Sequence, residues 1–131
     1  MTVLATETQK FSNTFKQLLW EDLKYNGDIF VANESAAKTY KVGDIVGQVT
    51  ANKKVKLSVD TAVDGSQTVF GIVAEDKTVP ANTDTKVRVI YRGPAVVNKA
   101  GLFFDASYDS TDKAAAYLVL DGKGIAVLDA V

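Results

Sequence analysis

Carboxylates, lysines and hydroxyls are the side chains of this sequence that could do chemistry, and one close group of carboxylates is the run Asp105-x-x-x-Asp109-x-x-Asp112. Oxygen ligands of this kind suit hard cations such as Ca²⁺, but an EF-hand needs acids at alternate positions followed by glycine. Asp109 as the N-cap of a helix and Asp112 as an acid in its first turn account for the run without an ion. We therefore interpret it as the start of a helix and predict no metal site.

A second group combines the turn Lys41-Val42-Gly43-Asp44 with Asp76-Lys77, and it is similar to the turn and modified lysine of lipoyl and biotinyl carrier domains. Such a domain needs its lysine at the tip of a tight hairpin soon after the turn, whereas two predicted strands separate Lys77 from it. A plain turn before a strand is the preferred interpretation. Gly122-Lys123-Gly124 is likewise interpreted as a turn, because it lacks the spacing of a phosphate-binding loop.

The adjacent acids Glu21 and Asp22 form the third group, since paired carboxylates serve as acid and base in glycoside hydrolysis. Adjacent acids usually face apart, and no other acidic pair lies on a predicted rigid strand beside aromatic platforms for a sugar. A small hydrolase that uses carboxylates alone is therefore the least favoured function.

The residue types that are absent from the sequence exclude most enzyme chemistry. The 131 residues contain no histidine and no cysteine, which removes Ser-His-Asp and Cys-His nucleophiles, an imidazole acid or base, and the usual zinc sites. With 15 basic and 16 acidic side chains, the chain has no overall bias toward nucleic acid or anionic membrane. The sequence predicts no enzyme, no cofactor, no small-molecule substrate, no nucleic-acid partner and no membrane partner.

The elements that must position these residues are mostly β. The length favours one domain, and the abundance of Val, Thr and Ile favours strands. Short runs separated by Gly, Asn, Asp and Pro predict antiparallel strands at 28–32, 44–50, 55–59, 69–74, 85–92, 95–98 and 125–128. The linker 51–54 predicts a hairpin, and the polar segment 75–84 is expected to be a surface loop. No stretch approaches the roughly 18 apolar residues that cross a bilayer, so a soluble protein without a secretion signal is expected.

Two segments interrupt the pattern of strands. From Ser110 to Leu120 three successive alanines and a first-turn acid predict a short helix, with Gly122 as its C′ glycine. Near the start, a possible capping box at Thr6-x-x-Gln9 precedes large apolar residues at helical spacing, which predicts an amphipathic helix ending at Asn26-Gly27. Those apolar residues are Phe11, Phe15, Leu18, Leu19 and Leu23.

The concentration of large apolar side chains before the first predicted strand has its own implication. Phe11, Phe15, Leu18, Leu19 and Trp20 all lie outside the predicted β core. Apolar residues outside a core usually become buried against another subunit or a partner. We therefore expect this segment to make an intermolecular contact.

The order of several blocks resembles that of the lambda-type head decoration, or capsid cement, proteins of tailed phages, over about residues 17 to 128. An apolar arm precedes Ile29-Phe30-Val31, and the run 40–50 follows. Asp64-Gly65-Ser66-Gln67-Thr68 then leads into Gly71-Ile72-Val73-Ala74, followed by a polar loop, the run 87–93, a helix and Gly124-Ile125-Ala126-Val127.

The resemblance implies a mostly β chain with a minor helix, a small single-domain β-clip or β-tulip-like fold with an extended N-terminal arm. The arm would span 1–27 and the β-rich decoration domain 28–131. Such a protein is made in the host cytoplasm and forms a homotrimer on the outer surface of the virion capsid, where it stabilises the expanded head. Its arm contacts the major capsid protein.

The resemblance assigns the capsid contact to seven residues of the arm, which are Phe11, Phe15, Leu18, Leu19, Trp20, Glu21 and Asp22. In the relatives, the stretch that matches 17–22 is extended, whereas the periodicity above predicts a helix. We favour an extended segment over 18–22, preceded by a helical turn around 12–16. An alternative function is a phage tail or surface β-domain that binds a host glycan or receptor through the loops 75–84 and 101–109.

Overall fold

Ten strands, one short 3₁₀ helix and one α-helix form in residues 15–16 and 27–129, the part of the chain that the computed structural model describes. The strands are β1 Phe15–Lys16, β2 Asp28–Ala32, β3 Lys38–Tyr40, β4 Ile45–Gln48, β5 Val55–Leu57, β6 Val69–Val73, β7 Lys77–Val79, β8 Thr85–Ile90, β9 Ala95–Asn98 and β10 Ile125–Leu128. The 3₁₀ helix spans Lys99–Gly101 and the α-helix, α1, spans Ser110–Gly122. The predicted fold class, a small and mostly β domain with a minor helix, is confirmed.

Five strands close into a barrel in the order β2-β5-β4-β6-β8. Small and β-branched side chains of the barrel strands form one core, which suits the narrow space inside a five-stranded barrel, and Tyr40 of β3 and Val79 of β7 belong to the same cluster. The buried residues of this core are Ala32, Tyr40, Val46, Val55, Val73, Val79, Val87 and Val89. The hairpin predicted at 51–54 is confirmed, because β4 and β5 are antiparallel neighbours joined by that linker.

A second core lies between the outer wall of the barrel and α1. Successive residues of a strand point to opposite faces. Ile45, Ile72 and Ile90 therefore point outward while their neighbours Val46, Val73 and Val89 fill the barrel. From the other side, α1 contributes Ala116 and Leu120 to this core, and β9 and β10 contribute Val97 and Ile125. The same strands thus serve two cores.

A three-stranded sheet, in the order β1-β9-β10, lies beside the helix. The turns that lead into β9 and β10 touch at Gly93 and Gly124, where a Cβ added to Gly93 would lie 1.9 Å from the carbonyl oxygen of Gly124. Only a residue without a side chain permits this approach, which lets β9 and β10 run parallel from their first residues.

Two expectations about the strands are wrong. The segment 75–84 is not simply a loop, since it contains β7, which pairs with the unpredicted strand β3 and buries Val79 completely. Antiparallel pairing is the majority pattern but not universal, because β2 pairs with β5 and β9 with β10 in parallel. Both errors concern pairings between segments that are distant in sequence.

The helix predicted from Ser110 is confirmed, with Asp109 as its N-cap. Gly122 is not the C′ glycine but the last helical residue. Lys123 is the C-cap, and Gly124, with a φ of +83°, follows it. Near the start of the chain, the expectation of helix at Phe15 and Lys16 is wrong, because the free edge of β9 pairs with these two residues and makes them extended. The rest of the helix predicted there, and the extended segment 18–22, fall outside the described residues.

Candidate functional site

The root of the N-terminal arm is attached to the domain by strand pairing. Phe15 lies opposite Val97 and Lys16 opposite Val96, in antiparallel register on the edge of β9. Val97 is fully buried in the second core. The backbone of the arm is therefore anchored to a strand that cannot move without disturbing that core.

Both ends of the described chain meet at one end of this sheet. Because β1 is antiparallel to β9, the residue that starts β1 lies near the end of β9. Because β10 is parallel to β9, Leu128 lies opposite Asn98, also at the end of β9. The Nζ of Lys99 and the Oδ1 of Asp129 are 3.3 Å apart there. We name this surface, formed by Phe15, Asn98, Lys99, Leu128 and Asp129, the terminal end.

Exposure marks the terminal end as a surface with an apolar component. Leu128 is 48% exposed although it belongs to a strand that contributes to a core. Lys99 has its Nζ 5.1 Å from the centre of the Tyr117 ring of α1. The terminal end thus combines an exposed leucine, the Lys99 and Asp129 charges and the root of the arm.

Of the seven arm residues predicted to contact a capsid, Phe15 is the one within the described part of the chain, and only its backbone position is defined. The other six are Phe11, Leu18, Leu19, Trp20, Glu21 and Asp22, and all lie outside that part. Their assignment, and the division of the chain into 1–27 and 28–131, remain predictions. The sequence does not predict that Lys99 and Asp129 lie together, because no local pattern indicates that β1 and β10 both pair with β9.

The acidic run has a structural role at the start of α1. The Oδ1 of Asp109 accepts a hydrogen bond of 2.8 Å from the backbone N–H of Asp112, and the Oδ2 of Asp112 accepts one of 3.1 Å from the N–H of Asp109. Asp105 accepts instead from the N–H of Ser107. Within the described residues, no cluster of three or more acids could hold a metal ion.

The two halves of the carrier-like motif do come together, but around a turn. The Oδ2 of Asp44 accepts from the N–H of Lys41 at 2.9 Å, and the Oδ1 of Asp76 accepts from the N–H of Val42 at 3.1 Å. Desolvation raises the pKa of the buried Asp44 above its ordinary value. Lys77 is a residue of β7, paired with Tyr40, and not the tip of a tight hairpin. The motif therefore fixes a turn.

The loop 101–109 offers less to a glycan than its aromatic content indicates. Phe104 packs against Tyr108 and Tyr117 with ring centres 5.1 and 5.8 Å apart. Phe103 is exposed and lies under the Nζ of Lys41 at 5.2 Å. This loop thus presents one exposed ring, and most of its aromatic surface stabilises α1.

One cavity, of about 190 Å³, lies between α1 and the segment 60–69. Its wall is largely apolar, and the carboxylates of Asp60 and Asp112 are among the groups that line it. The lining residues are Asp60, Gln67, Thr68, Val69, Tyr108, Asp112, Ala115, Ala116 and Val119. Because Asp60 and Asp112 are distant in sequence, no motif could have indicated this cavity.

The comparisons with known proteins identify the family of this chain. No helix of the described residues is long and apolar enough to span a membrane. No curated protein matches the chain. The family described as bacteriophage lambda head decoration protein D matches residues 3–125, which include the barrel and α1. The chain therefore belongs to the family of the bacteriophage lambda head decoration protein D.

Proposed function

We propose that this protein is a capsid cement protein that forms trimers on the outer surface of a tailed-phage head and stabilises the expanded capsid. Its family makes it a head decoration protein, a virion component located on the capsid. The finer assignments, which are trimerisation, stabilisation and contact with the major capsid protein through the arm, are our inference. We further propose that it acts as a structural protein and not as an enzyme.

The observation that best supports the role of the arm is the anchoring of its root on β9. Residues 1–14 precede this pair in the sequence and residues 17–26 follow it, so the pair lies between the two groups of proposed contact residues. An extended segment can add a strand to a partner, gaining affinity from backbone hydrogen bonds and specificity from alternate side chains. Because Phe15 and Lys16 are paired with β9, a force on the arm is transmitted to the domain.

A threefold arrangement would make modest arm contacts sufficient. Once one arm of a trimer has bound, the other two bind at a high effective concentration. The trimer then links neighbouring capsid subunits, and its own rigidity resists their separation. We infer that the edge of β9 that holds Phe15 and Lys16 lies on the side of the domain that faces the lattice, because the proposed contact residues precede and follow this pair in the sequence.

Binding to undecorated expanded capsids tests the role of the arm. Purified protein is mixed with such capsids and bound protein is measured by cosedimentation. Wild-type protein should bind, and a variant that lacks residues 1–22 should not, although its circular dichroism should still show a folded β-rich domain. Undiminished binding of the truncated variant would refute the role of the arm.

A point variant separates the apolar contact from chain length. Trp20→Ala should lower the affinity for capsids about tenfold or more if Trp20 is a central anchor. Val63→Ala is the matched control, since Val63 is 94% exposed in a loop of the domain and has no role in the arm. Heating decorated and bare capsids in a calorimeter then tests cementing itself, and equal disruption temperatures would argue against it.

A further inference from the structure

Among the described residues, open strand edges belong to the two smaller sheets, because the barrel is closed. An open edge presents unpaired backbone N–H and C=O groups, to which a strand of another chain can pair. Natural edge strands oppose such pairing by being very short and by carrying charged side chains, lysine above all. The two-stranded sheet has both features, since β3 and β7 are three residues long and begin with the exposed lysines Lys38 and Lys77.

The strand β9 carries no such charge. Its residues are Ala95, Val96, Val97 and Asn98, and the two valines favour the extended conformation. One edge of β9 is paired over all four residues with β10. The other edge is paired with β1, at Val96 and Val97. This second edge of β9 is therefore covered only while β1 is in place.

The strand β1 has the properties of a protective edge strand. It is two residues long, the shortest strand in the described part of the chain, and one of its residues is Lys16. Its two cross-strand pairs stabilise the sheet less than the four pairs between β9 and β10 do. Because Val97 is buried in the second core, losing β1 would leave β9 extended and its edge ready to pair.

A second copy of the chain is the partner that fits this edge. Two identical edges can pair in antiparallel direction around a twofold axis, so that each satisfies the backbone N–H and C=O groups of the other. Like charges that face each other across two strands destabilise the pairing. Because β9 is uncharged, no such repulsion arises where two copies of it meet, whereas two strands that carry lysine would repel each other.

We propose that β1 prevents copies of this protein from joining through their β9 strands. While Phe15 and Lys16 are paired with β9, its edge is occupied and the outermost strand includes a lysine. When this pairing is lost, β9 of one copy pairs with β9 of another. The contact is independent of any capsid, and the inference does not rest on the proposed function.

Weakening the pairing in the full-length chain tests the proposal. The double variant Phe15→Pro and Lys16→Pro keeps the chain length, but proline lacks the backbone N–H and fixes φ, so the pairing with β9 is disfavoured. Sedimentation velocity between micromolar and millimolar concentrations should show self-association at least about tenfold stronger than in the wild-type protein. Circular dichroism checks that the domain is folded. Equal sedimentation of the folded variant and the wild-type protein would overturn the proposal.

A charge on β9 identifies the surface that associates. Val96 is half-buried, so a lysine in its place can reach solvent along its aliphatic stem. Val96→Lys, added to the proline variant, should return the sedimentation to that of the wild-type protein. Val63→Lys is the matched control, since Val63 is 94% exposed in a loop, and it should leave the association unchanged. Association that persists with Val96→Lys, or that Val63→Lys also removes, would mean that another surface is responsible and the proposal is wrong.

Amide hydrogen exchange followed by mass spectrometry locates the contact. In the proline variant at low concentration, the β9 segment should exchange faster than in the wild-type protein. Its exchange should slow as the concentration rises, because pairing between copies protects the amides again. The barrel strand β8 is the internal control and should exchange equally in both proteins. If exchange in β9 of the variant did not depend on concentration, β9 would not be the contact.

The variant that lacks residues 1–22 gives a second test without proline substitutions, because it lacks β1 as well. It should self-associate, and adding Val96→Lys should disperse it. A truncated protein that stays dispersed without Val96→Lys would contradict the present proposal. Capsid binding by the dispersed truncated protein would instead contradict the role of the arm, so the two proposals fail separately.

Discussion

At the scale of single residues, Tyr40 and Glu34 form a buried polar pair, in which Tyr40 belongs to the same core cluster as the valines of the barrel. Tyr40 is fully buried and its hydroxyl donates to the Oε2 of Glu34, which also accepts from the N–H of Leu57 at 2.8 Å. Burial and the hydrogen bond to Glu34 raise the pKa of Tyr40 far above its ordinary value. The hydroxyl therefore stays protonated and available as a donor.

Tyr40→Phe should consequently destabilise the domain by about 1–3 kcal/mol, because it leaves a buried carboxyl oxygen short of a partner. Urea denaturation followed by fluorescence measures the free energy of unfolding. Tyr91→Phe is the control, since the half-buried ring of Tyr91 stacks on Phe70 and that stacking does not need the hydroxyl. Equal stabilities of the two variants would contradict the importance of the Tyr40 hydrogen bond.

Asp64 makes the stability depend on pH in the acid range. The hydroxyl of Ser66 donates to its Oδ1 at 2.5 Å and the N–H of Ser66 at 3.0 Å, and these bonds lower its pKa from 3.8 to about 2. A lowered pKa in the folded state stabilises the fold fully above about pH 4, and this contribution is lost as the pH falls toward about 2.

Asp64→Asn should therefore lose less stability than the wild-type protein between about pH 4 and about 2, because asparagine does not titrate. Denaturation midpoints measured across that range give the comparison. Asp121→Asn, at an exposed carboxylate of α1, is the control. An unchanged slope for Asp64→Asn would show that its hydrogen bonds to Ser66 do not favour the charged form.

At the scale of elements, the sequence predicts a strand or helix well where the signal is local. The strands at 28–32, 95–98 and 125–128 have the predicted bounds because runs of β-branched residues end at turn residues there. β3 and β7 were missed because each is three residues long, partly exposed and stabilised mainly by pairing with the other. Their stability comes from a pairing between two segments that are distant in sequence, and such a pairing leaves no periodic pattern.

The capping box of α1 gives an element-scale prediction. Asp109→Ala removes the acceptor for the N–H of Asp112 and should lower the stability of the domain by about 0.5–2 kcal/mol. Asp121→Ala is the control at the other end of the same helix, where losing a negative charge does not weaken the interaction with the helix dipole. Thermal denaturation followed at a helix-sensitive wavelength measures both. Equal losses would mean that the box does not stabilise α1.

The contact between Gly93 and Gly124 gives a second element-scale prediction. Gly93→Ala places a Cβ against the Gly124 carbonyl, a backbone atom that cannot move aside alone, and should cost about 1–3 kcal/mol or more. Since β9 holds Phe15 and Lys16 of the arm, capsid binding should fall as well. Gly122→Ala is the control, because a Cβ there meets nothing within 4 Å and should stabilise the helix by about 0.5–1 kcal/mol. Similar effects of both changes would contradict this account.

At the scale of the whole molecule, only part of the candidate site could be predicted from the sequence. The apolar arm stands out because large side chains precede the first strand predicted from the sequence, at 28–32. The terminal end and the cavity could not be predicted, since β9 receives β1 and β10 from opposite ends of the chain. Asp60 meets Asp112 only after α1 packs on the barrel. A site that is assembled by contacts between segments distant in sequence leaves no sequence motif that could predict it.

The charge balance of the whole chain leads to a final prediction about how it reaches the capsid. With 15 basic and 16 acidic side chains, long-range electrostatic steering is weak, whereas steered association depends steeply on ionic strength. The association rate with expanded capsids, followed by light scattering, should therefore change less than about threefold between about 0.05 M and about 0.5 M salt. A variant with four added surface lysines is the contrasting case and should show a salt-dependent rate if the lattice is acidic. A steep salt dependence of the wild-type rate would mean that a charged patch, and not the apolar arm, makes the first contact.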